Sequence, residues 1–232
     1  MNNYPGGKNG SGTYQKIINQ MPPHLTFVEM CCGSAAITAL KKPAAVNWCV
    51  DIDARAVAAA SVRLCDVRGL TVVCDDAISF LQSHVWLNPK GGELVYADPP
   101  YLGETRSYKK AIYRNEMMDE DNHLRLLTVL KSLPCKVMIS GYWSELYERQ
   151  LDGWRSISFE AVTRGGWMAT EFVWMNFSEP LELHDYRYLG ENYRERERIK
   201  RLQSRWSRRL ASMPRLERLA LIRQIDALKA GM

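Results

Sequence analysis

Between residues 25 and 142, five short apolar runs alternate with stretches of helical periodicity. That alternation restricts the chain to a mostly parallel sheet with helices on its faces. Residues 25–32 form the first run and end in Gly33-Ser34; a helix follows from Ala35 and stops before Pro43. Residues 47–53 form the second run and lead into an alanine-rich helix that extends to about Arg68, closed by Gly69. Residues 70–74 pass through Asp75-Asp76 into a helix over 77–83, and Gly91-Gly92 introduces a strand at 93–97. Leu124, Leu127, Leu130 and Leu133 stripe a helix over 121–133, which precedes a strand at 136–142 and a short helix at 143–151. Residues 154–162 and 170–177 read as an antiparallel hairpin closing the sheet. Residues 102–120 are polar and basic and show no period.

The expectation is an α/β, Rossmann-like, seven-stranded sheet with an antiparallel last strand, occupying residues 1–180. Pro180 marks the boundary to a basic helical extension at 181–232. The net charge of +5 hides an asymmetry: residues 187–232 carry +8 and residues 1–186 carry −3. Two amphipathic helices are predicted there. Ile199, Leu202, Trp206 and Leu210 line the first, and Leu221, Ile225 and Leu228 line a second that begins near Pro214. Such an arginine-rich face suits an anionic partner, and equally a plain solvated surface. No apolar run approaches the roughly 20 residues needed to cross a bilayer, and the first residues show no signal pattern. An intracellular location without membrane attachment is therefore expected. The six cysteines include no Cys-x-x-Cys pair and the four histidines are scattered, so reduced thiols and no metal site are expected.

Asp98-Pro99-Pro100-Tyr101 follows directly on the apolar run Leu94-Val95-Tyr96-Ala97. Ligands of open α/β sheets bind at the carboxyl ends of strands. Two prolines stiffen the backbone and remove two N–H donors while keeping their carbonyl acceptors. A carboxylate beside a rigid carbonyl can accept both hydrogens of an amino group, and an adjacent aromatic ring can stack on a flipped base. The turn after Phe27-Val28-Glu29-Met30-Cys31-Cys32 is built of small residues, Gly33-Ser34-Ala35-Ala36, which admit a ligand close to the backbone. Asp51, ending the second run, is placed either for ribose hydroxyls or for a helix cap, a job Asp53 can also do.

Tyr4-Pro5-Gly6-Gly7-Lys8, Glu29 to Ile37, Asp51-Ile52-Asp53, Asp75-Asp76 and Asp98-Pro99-Pro100-Tyr101, in that order, resemble the Dam-like, D12 class of adenine-specific DNA methyltransferases. The resemblance covers about residues 1–180, with later echoes at Asp121-Asn122-His123, Ser140-Gly141-Tyr142 and Glu171 to Asn176. The extension is similar to that of small phage or prophage members. The resemblance implies the S-adenosylmethionine-dependent methyltransferase fold and methyl transfer from that cofactor to the amino group of a flipped adenine in double-stranded DNA. Tyr4, Pro5 and Lys8 would contact the methionine part of the cofactor, with Glu29, Cys31 and Gly33 lining the same pocket. Asp51 would hold the ribose hydroxyls beside Ile52, and Asp76 would sit by the cofactor adenine. Asp98, Pro99, Pro100 and Tyr101 would handle the target base, Asp98 also bordering the cofactor.

Three departures stand out. Met30-Cys31 replaces a common Pro-Phe, Ala35 replaces a second glycine, and only residues 77–93 are available where many relatives insert a recognition domain. Base and phosphate contacts are therefore expected from Arg106, Tyr108, Lys109, Lys110 and Arg114, from the loop at Arg164 and Trp167, and from Arg201, Arg205 and Arg208 of the extension. The same chemistry on RNA, and a non-catalytic nucleic-acid-binding relative, remain open alternatives.

Overall fold

The computed structural model describes residues 8, 10, 12–88, 90–102, 119–163 and 166–230. They form two compact units, Met1–Tyr186 and Arg187–Met232. The first is built on a seven-stranded sheet with strands β1 (Thr26–Met30), β2 (Val46–Asp51), β3 (Leu70–Cys74), β4 (Glu93–Ala97), β5 (Lys136–Gly141), β6 (Arg155–Val162) and β7 (Met168–Met175). Their order is β3-β2-β1-β4-β5-β7-β6. The first five strands are parallel, and β7 runs antiparallel to both β5 and β6. This is the Rossmann-like sheet with an antiparallel last strand that the alternation implied. The chain winds outward from β1 to β3 and then crosses to β4, so the direction of winding switches between β1 and β4. A crevice opens at the carboxyl ends of strands at such a switch point.

Both faces of the sheet are covered, which is why β1 and β4 are buried at every position and read as continuous apolar runs. Helices α4 (Ala77–Ser83), α5 (Glu120–Ser132) and α6 (Glu145–Gln150) pack on Val28, Met30, Val50, Val95 and Ile139. On the opposite face α2 (Ala36–Leu40) and α3 (Ala54–Arg63) enclose a smaller cluster of Cys32, Ala35, Cys49, Ala60 and Leu64. Helix α3 stops at Arg63, short of the reach to Arg68 expected from its alanines, because Leu64 already leaves helical geometry. Gly69 then takes a left-handed backbone (φ +65°), and a Cβ there would lie 2.2 Å from the Ala45 carbonyl oxygen. Helix α1 (Thr13–Ile18) is an addition to the anticipated elements. Its six residues are too short to register as a stripe; the Gln15 Oε1 atom accepts from Gly12 N–H at 2.8 Å, and Ile17 and Ile18 are fully buried.

Residues 184 and 185 strap the edge of the first unit. The His184 and His24 rings stack at 3.7 Å, and Asp185, buried, accepts from the Lys42 backbone N–H at 2.8 Å. Burial, Lys41 and His184 push the His24 pKa down to about 2; burial and Lys41 lower that of His184 as well. Folding therefore disfavours the charged form of both imidazoles, and the unfolded chain binds more protons below the ordinary imidazole pKa. The stability held by the pair is present above about pH 6.5 and declines as pH falls below it, by roughly 1.4 kcal/mol per pH unit for His24. Glu29, whose pKa burial raises to about 7, acts in the opposite direction. The expected result is thus a difference: between pH 7 and pH 5 the wild type loses stability relative to His24→Phe in urea denaturation. Parallel pH curves would sink this account of the strap.

The second unit consists of α7 (Tyr193–Ser212) and α8 (Arg215–Ala230), separated by Pro214. The Asn192 side chain caps α7 by accepting from Glu195 N–H at 3.0 Å. No described residue of this unit is buried.

Candidate active site

The carboxyl ends of β1, β2 and β3 carry three acidic groups, each tied into its loop. Glu29 is buried and accepts from the Thr38 N–H at 2.7 Å, the Thr38 hydroxyl at 2.5 Å and the Ile37 N–H at 3.4 Å. Its carboxylate thus faces α2 and fixes the loop between them. That loop turns through three left-handed residues, Cys31, Gly33 and Ala35, two of them not glycine. Strained backbone of this kind concentrates at functional sites. Asp51 accepts from Gly33 N–H at 2.7 Å and from Asp53 N–H at 2.9 Å, so it joins the β1 and β2 loops. Burial raises its pKa. Asp53 takes the capping task, accepting from Arg55 N–H at 2.9 Å, and leaves Asp51 out of the helix. Ile52 beside them is exposed, while Asp76 caps α4 through Ser79 N–H at 3.0 Å.

At the end of β4 the Asp98 carboxylate is held on one oxygen. Asp98 Oδ1 accepts from the Ser140 hydroxyl at 2.8 Å and pairs with the Lys8 ammonium at 3.1 Å. Among the described residues no donor meets Oδ2, and the side chain is 16% exposed. Tyr96, buried beneath, shares a hydrogen bond with Ser140 at 2.9 Å. Lys8 also bonds the Tyr101 hydroxyl and Glu171, the latter at 2.9 Å, and the Tyr101 hydroxyl donates to Glu171 at 2.9 Å. The Tyr101 ring packs against that of Tyr142 at 4.3 Å. Burial raises the Asp98 pKa and Lys8 counters it; for Lys8, burial opposes the charge but Asp98 and Glu171 outweigh it, so its pKa is raised.

Lys8 therefore meets the Asp98 and Tyr101 end of the site. Glu171, Ser140 and Tyr142 are additions to the candidates read from sequence. Ser140, Tyr142 and Glu171 stand in the stretches that echo the family, but nothing local marks their contacts with Asp98 and Tyr101. Glu171 reaches the carboxyl edge because β7 runs backwards: its neighbour Phe172 pairs with Gly141, the last residue of β5. The hairpin continues past that edge to Trp167, which is 72% exposed. Tyr4, Pro5, Arg106, Tyr108, Lys109, Lys110, Arg114 and Arg164 lie outside the described residues. In the second unit Arg201, Arg205 and Arg208 are exposed on α7, in register with Arg194 and Arg198, and Arg209 lies over the Trp206 ring at 5.5 Å. No helix among the described residues is long and apolar enough to cross a membrane, and they contain no cluster of metal-ligating side chains.

Residues 70–163 match the family model of the D12 class N6 adenine-specific DNA methyltransferases. Comparison with curated protein sequences gives no match. Among solved structures the chain is similar to the 23S rRNA methyltransferase ErmE, at 15% identity over 76% of this chain and 72% of that one, TM-score 0.48. It is also similar to TrmN from Thermus thermophilus, at 16% identity over 71% of this chain and 47% of that one, TM-score 0.48. A further likeness is to a SAM-dependent methyltransferase from Agrobacterium tumefaciens, at 15% identity over 69% of this chain and 59% of that one, TM-score 0.43. The side chains fit S-adenosylmethionine. Asp51 keeps lone pairs for a ribose diol, Ile52 offers an exposed apolar surface, and one ammonium between two carboxylates leaves the Asp98 cluster negative, suited to a cationic sulfur. Residues 70–163, which include Asp76 and the Asp98-Pro99-Pro100-Tyr101 turn at the end of β4, are thus similar to the D12 class N6 adenine-specific DNA methyltransferases, and the strand-end acids of the sheet suit S-adenosylmethionine as cofactor.

Proposed function

We propose that the enzyme methylates the exocyclic amino group of adenine in double-stranded DNA, acting on a flipped base. The observation that carries this reading is Asp98, at the carboxyl end of β4, whose Oδ1 is held by Ser140 and Lys8 while no donor among the described residues meets Oδ2. Oδ2 and the Pro99 carbonyl accept the two amino hydrogens, and Tyr101, stiffened through Pro100, stacks on the ring. These bonds favour the pyramidal, nucleophilic amine that develops in the transition state. S-adenosylmethionine, when bound, supplies an electrophilic methyl group. Asp51 and Ile52 hold its nucleoside part, Asp76 borders the adenine, and the loop at Cys31 and Gly33, braced by Glu29, lines the pocket of the methionine part, which Tyr4, Pro5 and Lys8 contact. As the amino nitrogen becomes cationic, Asp98 Oδ2 takes the surplus proton, a task its raised pKa favours. Methyl transfer of this kind needs neither a covalent enzyme intermediate nor a cysteine nucleophile.

DNA is gripped by Trp167, by the basic segment at Arg106, Tyr108, Lys109, Lys110 and Arg114 with Arg164, and by the arginine face of α7. We place the catalytic domain at 1–180 and a basic helical extension at 181–232, its first residues, to Tyr186, packed with the first compact unit.

The test is tritiated methyl transfer to genomic DNA free of N6-methyladenine and, in parallel, to total RNA, with the product nucleoside identified after digestion. N6-methyladenine in DNA is expected. Label in RNA alone would replace the substrate, and binding without transfer would leave a non-catalytic relative. In the same assay, reversing the charge of Arg201, Arg205, Arg208 and Arg209 should flatten the salt dependence of DNA binding and leave cofactor affinity unchanged. An unaltered salt slope would remove α7 from the DNA.

A further inference from the structure

Resting on that reading of Asp98, we propose that Glu171 is a positioning residue that sets the charge of the amino-group site. Without it, Lys8 and Asp98 form a neutral pair. A neutral pair gives little stabilisation to an amino nitrogen that becomes positive as it is methylated. Glu171, 2.9 Å from Lys8 Nζ, adds a second carboxylate and makes the trio formally −1. It also receives the Tyr101 hydroxyl at 2.9 Å, so the same residue aims the stacking ring and takes up part of the Lys8 charge. Lys8 in turn anchors Asp98 Oδ1 jointly with Ser140, which presents Oδ2 to the base.

A charge count separates this role from mere support. The wild type holds −1; Glu171→Gln holds 0; Lys8→Met holds −2; the double variant returns to −1. Glu171→Gln should slow methyl transfer into DNA free of N6-methyladenine by roughly tenfold or more. Lys8→Met in the Glu171→Gln background should then recover part of that loss in rate without a matching rise in melting temperature, whereas a merely structural coupling would move both together. Glu171→Asp, which keeps the charge, should retain more activity than Glu171→Gln. Cofactor affinity by calorimetry and thermal melts verify that each variant is folded and loaded.

The acid limb of the rate profile gives a second reading, for use also if the double variant does not fold. Asp98 is faced by Lys8, by Glu171 from β7, by Ser140 from β5, by Glu29 from β1, and by Tyr96, Tyr101, Cys31 and Tyr147. Removing the like charge of Glu171 should move the limb to lower pH, and removing Lys8 should move it to higher pH. Asp98→Asn provides the separating control. If Asp98→Asn is inactive while the Lys8 and Glu171 losses simply multiply and the limbs stay in place, this proposal fails alone. If Asp98→Asn methylates at the wild-type rate, the reading of the base site fails with it.

Discussion

Asp98→Ala should lower methyl transfer by at least about 100-fold, the scale for losing one preorganised electrostatic contact to a transition state. The substitution removes the acceptor at Oδ2 and also strips Lys8 and Ser140 of a partner. Lys8 keeps Glu171, so the ammonium is not left without a counter-ion. Cofactor binding should fall far less, because the residues proposed to hold its nucleoside part, Asp51, Ile52 and Asp76, lie at the ends of β2 and β3, beyond β1. Tritiated-methyl incorporation and calorimetric affinity, measured on the same preparation, report the two separately. Incorporation near the wild-type level would falsify the proposed chemistry.

For Asp51→Ala the expected pattern is reversed: cofactor affinity weakens tenfold or more while the protein stays folded. A hydrogen bond to a charged group contributes roughly 1.5–3 kcal/mol, and tenfold corresponds to about 1.4 kcal/mol. Part of the loss comes through the loop, since Asp51 holds the Gly33 and Asp53 N–H groups. Asp51→Asn separates the two parts. It keeps one oxygen acceptor and most of the shape, so it should bind better than Asp51→Ala and worse than the wild type. A calorimetric dissociation constant unchanged in Asp51→Ala would take this residue out of the cofactor site.

How far the sequence leads is set by distance along the chain. The strand ending at Ala97 and the acids after β2, β3 and β4 are local features, each an apolar run meeting a polar turn, and all were legible. So was the capping of α3 by Asp53, as one of two open alternatives. Helix α1 was not, because six residues hold less than two helical turns of pattern. The charged cluster was illegible for another reason. Lys8 and Glu171 are 163 positions apart, and only the reversed course of β7 brings Glu171 to the carboxyl edge. No periodicity encodes a meeting of that kind. The resemblance assigns Lys8 to the methionine part of the cofactor; that its ammonium also lies between the Asp98 and Glu171 carboxylates is a feature only the structure shows.

The strand order also governs when the cluster around Asp98 can first be complete during synthesis. β6 emerges from the ribosome before β7 yet lies outside it, so it gains its sheet partner only when β7 enters between β5 and β6. Until residue 175 has been made, the β5 edge stays unpaired and open to wrong partners. Over the same interval Lys8, which precedes every strand of the sheet, lacks its Glu171 carboxylate. A nascent or truncated chain that stops before β7 thus carries Asp98 and Tyr101 without the Glu171 carboxylate that meets Lys8 and the Tyr101 hydroxyl.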